Sequence, residues 1–167
     1  MGGKSSKTTV QLAKHVEIPQ FMGLWYVISR IGTPFEKGHC NSTEEYTLRP
    51  DGKIDVMYRA TKKEVDGKPL SVSQTLWSVS PDNAHMKVRI FWPFTFDYLV
   101  LDVDPEYKWT IVGTSMSQVL WIMAREPHMN SNLYKDLVER CRDKGYDVKK
   151  LEVVKHAPNA QNLHSHQ

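Results

Sequence analysis

Phe21-Met22-Gly23-Leu24-Trp25-Tyr26-Val27-Ile28-Ser29-Arg30 decides how the rest of the chain is read. From Leu24 onward it is rich in aromatic and β-branched residues. Such residues suit a pleated, half-buried surface, so the stretch predicts a strand over 24–31. Gly23 stands at its start, where a backbone without a Cβ can bend or come close to a neighbour. Trp25 brings a large apolar ring with one N–H that needs a partner once buried. Its plain reading is a core tryptophan.

Downstream, strand signals alternate with turn signals as far as residue 124, at the spacing all-β barrels require. Gly32-Thr33-Pro34 opens a loop to about Asn41, and a strand follows over 43–49. Pro50-Asp51-Gly52-Lys53 turns into a strand over 53–61, and Asp66-Gly67 with Pro69 turns into another over 70–79. After Pro81-Asp82-Asn83 the alternation is clearest. Met86, Val88, Ile90 and Trp92 share one face, and Lys87 and Arg89 share the other. Pro93 ends that run. Further strands are expected over 97–103, 107–113 and 118–124. The first and last of these are apolar on both faces, which predicts something packed on their outside. Leu133, Leu137, Val138 and Cys141 recur at helical spacing and supply that cover. Asn130 or Ser131 can cap the helix and Gly145 can stop it. A last strand is expected over 149–155.

These signals predict an all-β fold, an eight-stranded up-and-down antiparallel barrel with a C-terminal helix packed outside and a short final strand. A barrel of this size can enclose one small ligand. Residues 1–19 read as a flexible arm, 20–156 as the barrel with its helix, and 157–167 as a loose tail. The 167 residues suffice for one domain with a sizeable core. A formal charge of +3, spread along the chain, is no basic stripe, so nucleic acid is not an expected partner. No run nears the ~20 apolar residues of a membrane span, and no apolar segment follows Met1 as in a secretory signal. Cys40 and Cys141 are the only cysteines, too few for a cysteine-built zinc site or a disulfide framework. No reason is seen for them to bond to each other.

Gly23-x-Trp25 at the first strand resembles the signature of the lipocalins. Leu101-Asp102-Val103-Asp104 with Tyr107 resembles the family's acidic-then-tyrosine turn. Leu120-Trp121-Ile122-Met123-Ala124-Arg125 resembles the end of its eighth strand, with its arginine. Trp25–Arg30, Pro34-Phe35-Glu36-Lys37-Gly38, Val88-Arg89-Ile90-Phe91-Trp92 and Asp147-Val148-Lys149-Lys150 are similar to the branch that holds apolipoprotein D and the bacterial lipocalins. The resemblance covers roughly 20–156. Secreted members have a signal peptide and bacterial ones a lipobox cysteine, and neither is seen here. Cys40 sits where apolipoprotein D has a cysteine bonded to the C-terminal tail, but this tail has none.

The resemblance implies a barrel that binds and carries a fatty acid, lysophospholipid or similar lipid, with no cofactor and no catalysis. It also implies a structural set of Gly23, Trp25, Asp104 and Arg125, with Arg125 stacked on Trp25 at the closed end. Met86, Val88, Ile90 and Trp92 are candidate cavity residues by alternation. Val56, Tyr58, Tyr98, Trp121 and Met123 are candidates by parity and resemblance, and Tyr46 by resemblance. A phenol or indole N–H near the mouth is expected to orient the polar head of the ligand. Without the resemblance such a stripe reads as packed core. Trp92-Pro93-Phe94-Thr95-Phe96, expected beside Phe35 at the open mouth, reads either as a folded-down lid or as a gate or membrane contact. The alternative to a carrier is an enzyme acting on a lipid or isoprenoid inside the barrel through Cys40. No nucleophile–base–orienter set stands out, and no metal site is expected. Met1-Gly2-Gly3-Lys4-Ser5-Ser6 fits the N-myristoylation pattern at Gly2. The chain is therefore expected to be intracellular, a monomer or weak dimer, and peripherally attached to membranes. A secreted or outer-membrane location is expected only if this N-terminus is not the native one.

Overall fold

The structure, a computed structural model, describes residues 10–114 and 118–160. A four-residue helix α1 (Ile18–Phe21) leads into β1 (Gly23–Ile31), and a 3-10 turn over Pro34–Glu36 leads into β2 (His39–Leu48). The meander continues through β3 (Ile54–Lys62), β4 (Pro69–Ser78), β5 (His85–Arg89), β6 (Phe96–Val103), β7 (Trp109–Gly113) and β8 (Leu120–Ala124). Each strand pairs antiparallel with the next. β8 returns to β1 and β1 also pairs β2, so the sheet closes into the expected eight-stranded barrel. Closure removes the open edges that a flat sheet of this size would expose. A two-residue β9 (Glu152–Val153) adds to the outside of β1, at Ser29 and Arg30.

The two-sided apolar strands find their cover. Helix α2 (Ser131–Asp143) buries Leu137 and Cys141 against Tyr26, Ile28, Leu99, Leu101, Ile111 and Ile122 on the barrel's outer face, with Leu133 and Val138 at the margin. Its first turn is capped by Asn130, whose Oδ1 accepts from the N–H groups of Asn132 and Leu133. Gly145 ends it at φ +95°, a conformation glycine adopts without cost. Tyr134 reaches from α2 to donate to Ser29 Oγ at 2.9 Å, so Ser29 faces out and its neighbour Arg30 faces in. Cys40 and Cys141 are both buried free thiols.

Several boundaries differ from the sequence reading. β2 starts at His39, absorbing part of the expected loop, because a register shift between Cys40 and Thr43 lets the chain pair early with β3. β7 starts at Trp109, since Tyr107 sits at φ +57° in the preceding turn. The expected strand 149–155 is a 3-10 turn (Val148–Lys150) followed only by β9. Residues 10–19, expected within the flexible arm, pack against the barrel. Val16 is fully buried, Ala13 N–H donates to the Val100 carbonyl, and Leu12 and Ile18 flank the core. Apolar side chains at 10, 12, 13, 16 and 18 are what hold this segment down. Ala160 is likewise buried, within the expected tail. Residues 1–9 and 161–167, the rest of both expectations, lie outside the described residues.

Candidate ligand-binding site

The closed end is sealed by one constellation. Trp25 is fully buried and donates its indole N–H to the Phe21 carbonyl at 2.8 Å. The Arg125 guanidinium lies 3.7 Å from the Trp25 ring centroid. It donates to the carbonyls of Tyr107, Leu24 and Gln20 at 3.1, 2.9 and 2.8 Å. Gly23 is favoured by its backbone conformation and sits close under Arg125. Its φ is +94°, and a Cβ there would stand 3.4 Å from Arg125 Nη1. Asp104 shapes the turn beneath, with Oδ2 accepting from Lys108 N–H and its carbonyl accepting from Tyr107 N–H. Tyr107 in turn accepts the Glu17 N–H on its hydroxyl, tying the entry segment to this plug.

Above the plug the barrel holds a cavity of about 640 Å³ that opens at the other end. Tyr58, Val88, Ile90, Tyr98, Trp121 and Met123 stand in its wall, together with Phe35, Glu36, Glu44, Val72, Gln74 and Phe96. Four of the candidates from sequence stand elsewhere. Tyr46, Val56 and Met86 do face inward, but they are packed with Phe21, Trp25 and Leu76 as the floor below the cavity. Trp92 is 81% exposed, because β5 stops at Arg89 and the chain leaves the barrel before the alternation reaches it. Phe91 and Phe94 lie beside it on the rim and are also exposed, in edge contact with each other at 5.5 Å.

Polar groups divide between the mouth and the floor. Near the mouth Trp121 donates its indole N–H to Glu36 Oε1 at 2.8 Å, while Glu36 Oε2 accepts from Thr33 N–H and Oγ1. The Trp121 N–H expected to orient a ligand is thus already given to the protein. The Arg30 guanidinium is buried under the same turn, donating to Ser42 Oγ and to the carbonyls of Glu36 and His39. Tyr58 hydroxyl joins that network through His39 Nδ1 and Ser42 Oγ. Burial, with the Arg30 charge beside it, holds the His39 imidazole below its usual range. At the floor Tyr46 hydroxyl donates to Glu44 Oε2 and lies 2.7 Å from Tyr98 hydroxyl. Burial pushes the Glu44 carboxyl up to about 7. The Tyr46 hydrogen bond opposes this rise and the like charge of Glu36 adds to it. Both phenols are pushed well up, first by burial and then by Glu44.

Glu36 and Glu44 are cavity residues that the sequence reading left out. Glu44 had a signal, since it is two residues from Tyr46 and therefore on the same face of β2. Glu36 had none, because its inward turn depends on the 3-10 geometry and the capping contacts at Thr33. Cys40 is buried at the start of β2, with its thiol 3.9 Å from the Gly38 carbonyl, and is not part of the wall. The described wall contains no cysteine, histidine or serine.

A plugged barrel with one apolar cavity and an outer helix defines a lipocalin-type binding fold. A family described as "Lipocalin-like domain" matches residues 16–156, and the chain belongs to it. Temperature-induced lipocalin-1 of Arabidopsis thaliana is 31% identical over 157 residues, covering 88% of this chain and 83% of the relative. Outer membrane lipoprotein Blc of Vibrio cholerae is 28% identical over 153 residues, covering 87% and 86%. Apolipoprotein D of Macaca fascicularis is 31% identical over 164 residues, covering 91% and 82%. The family binds small hydrophobic ligands, and these relatives are named as lipocalins and lipoproteins.

Proposed function

We propose that this chain binds and carries a small single-chain lipid, of the size of a fatty acid or lysophospholipid, inside the barrel. The observation that carries the reading is the 640 Å³ cavity, walled by apolar side chains, open at one end and plugged at the other. That volume falls in the range of roughly 300–1,000 Å³ typical of small-molecule sites. Binding is driven by desolvation, at roughly 0.8 kcal/mol for each methylene taken out of water. Native mass spectrometry of the purified protein with its co-purifying lipids tests this directly. A lipid of one chemical class retained at one per chain is the expected result, and failure of any lipid to bind at micromolar concentration would remove the reading.

The same reading places the barrel at a membrane, where such lipids are found. Its support is the exposed rim of Phe91, Trp92 and Phe94, together with the acylation pattern at Gly2. One myristoyl chain holds a protein only marginally, so attachment also needs Lys4, Lys7 and Lys14 on an anionic leaflet, at about 1 kcal/mol each. Wild type expressed in a eukaryotic host is expected to gain the mass of the acyl group and to leave membranes in high salt. The Gly2→Ala variant is expected to partition as a free protein.

A further inference from the structure

The distribution of hydrogen-bond donors in the cavity restricts the head group of the ligand. The floor is a chain of phenols ending on a carboxylate. Tyr46 donates its one proton to Glu44 Oε2, so the hydrogen bond between the two phenols must be donated by Tyr98. Both phenol protons are therefore used inside the protein. Glu44 Oε1 receives no donor from the described residues, although a carboxylate accepts up to about four hydrogen bonds. Glu44 stands opposite Trp25 in the β1–β2 register and opposite Tyr58 in the β2–β3 register, so it is deep, just above the plug. Of the polar groups in the wall, Glu44 is thus the one at the bottom, and there it lacks a donor.

Nothing in the wall answers a negative head. Among the described residues no lysine, arginine or histidine lines the cavity, while Glu36, Glu44 and Asp97 do. Asp97 is paired with Lys87 and His85. Glu36 already accepts from three donors, two on Thr33 and one on Trp121. Arg30, the buried cation of β1, gives Nη1 and Nη2 to Ser42, Glu36 and His39, and its partnerless Nε is buried behind the wall rather than in it. A ligand carboxylate in this space meets the three carboxylates of the wall and must give up its charge or stay outside. The rest of the wall is mostly apolar, with Ile90, Phe96, Val119, Phe35 and Phe91, and the polar atoms of Glu36 at the mouth are already engaged by Thr33 and Trp121.

We propose, on the reading that the barrel carries a single-chain lipid, that the lipid enters head first and that its head is a protonated primary amine seated on Glu44. The ammonium donates to Glu44 Oε1, its alkyl chain runs up past Val88 and Trp121, and the aromatic rim covers the chain's end. An ammonium and a carboxylate brought together away from water form a charge-assisted hydrogen bond, stronger than one between neutral groups. The assignment separates this cavity from one that holds a free fatty acid by its carboxylate.

The test compares decylamine, decan-1-ol and decanoate by isothermal titration with the full chain at pH 8. Decylamine is expected to bind at least about tenfold more tightly than decanoate, the scale of one charge-assisted hydrogen bond. Glu44→Gln keeps an acceptor for Tyr46 and removes the charge. It is expected to lose about tenfold in decylamine affinity while decan-1-ol changes less than about twofold. A second measurement needs no variant. The amine stays charged up to about pH 10, so between pH 6 and 8 the titrating partner is Glu44, and decylamine affinity should rise several-fold over that range. Facing Glu44 are Tyr46 from β2, Tyr58 from β3, Tyr98 from β6 and Glu36 from the 3-10 turn. The three phenols keep their protons throughout. Decanoate binding as tightly as decylamine, a pH-independent amine affinity, or an amine preference that survives Glu44→Gln each overturns the proposal. If decan-1-ol binds but the amine has no advantage, the carrier reading stands and the head assignment falls. If none of the three binds, both fall.

Discussion

The two ends of the barrel use aromatic side chains in opposite ways. At the closed end Phe21, Trp25, Tyr46 and Tyr107 are buried, and their polar atoms have partners within the protein. At the mouth Phe35, Phe91, Trp92 and Phe94 are each more than half exposed. Burying a large ring stabilises the fold, and leaving one in water does not. The comparison therefore assigns stability to the plug and leaves the rim free of a packing role. The cavity between them contains a carboxylate, Glu44, whose charge burial disfavours.

The sharpest way to break that division is at the plug. Arg125→Ala removes the stack on Trp25 and leaves the Tyr107, Leu24 and Gln20 carbonyls without their donor. It is expected to cost about 3 kcal/mol in urea unfolding, with ligand affinity of the folded fraction changed less than about twofold. A loss of affinity with stability intact would reverse the assignment of the two ends.

Next in size is the floor carboxylate. Glu44 has an ordinary value of 4.5 and is held at about 7 in the folded protein. Between those values the folded state holds more proton than the unfolded one, so stability falls as pH rises through the window and is level above it. After allowing for water in the open cavity, wild type is expected to lose about 2 kcal/mol more than Glu44→Gln between pH 4.5 and 8. Parallel urea titrations at the two pH values measure it. His39 acts in the other direction. Its imidazole is held down, so its contribution is lost on acidification below its usual range. Both proteins share that term, and it cancels from the difference.

The plug was legible only through the resemblance: Gly23 and Trp25 lie close in sequence, but nothing local joins them to Arg125, which is far along the chain. Gly23 two residues before Trp25, and an arginine at the end of the last barrel strand, each occupy a position that few residue types satisfy. The outer helix was legible from strands 97–103 and 118–124, whose two apolar faces demand a cover. Depth was not legible. Alternation tells which face Tyr46, Val56 and Met86 occupy, but whether an inward residue lines the cavity or fills the floor depends on how far the plug rises. Nor does alternation show where a strand stops. Trp92 continues the pattern of Met86, Val88 and Ile90 although β5 has ended at Arg89. The acidic residues were missed for a different reason. A search for an apolar stripe passes over Glu44, though its parity with Tyr46 places it on the same inner face.

A smaller effect is expected at the junction of wall and mouth. Trp121→Phe removes the donor to Glu36 Oε1 while keeping an aromatic ring in the wall. About 1 kcal/mol of stability should be lost. The tryptophan fluorescence change seen when decylamine is added should shrink to a minor fraction of the wild-type signal. An undiminished signal would move the ligand away from Trp121 and toward Trp92 at the rim.

The smallest expected effect on stability is at Trp92 itself, and it bears most directly on what the rim is for. With 81% of its surface in water, the ring contributes almost nothing to the packed core. Trp92→Ala should therefore change unfolding stability by less than about 0.5 kcal/mol, the range for surface substitutions. Binding of decylamine from solution should also hold within about twofold, because Trp92 stands outside the wall. The rate at which the barrel takes a fluorescent long-chain amine from vesicles is a different quantity. It depends on contact between mouth and bilayer, and an exposed indole is well suited to the boundary between water and acyl chains. That rate should fall severalfold while the equilibrium constants stand still. If stability falls instead, the loop is a lid folded onto the barrel and the rim belongs with the plug. If neither stability nor transfer rate responds, the exposed aromatics play no part in loading, and the mouth differs from the closed end only in being open.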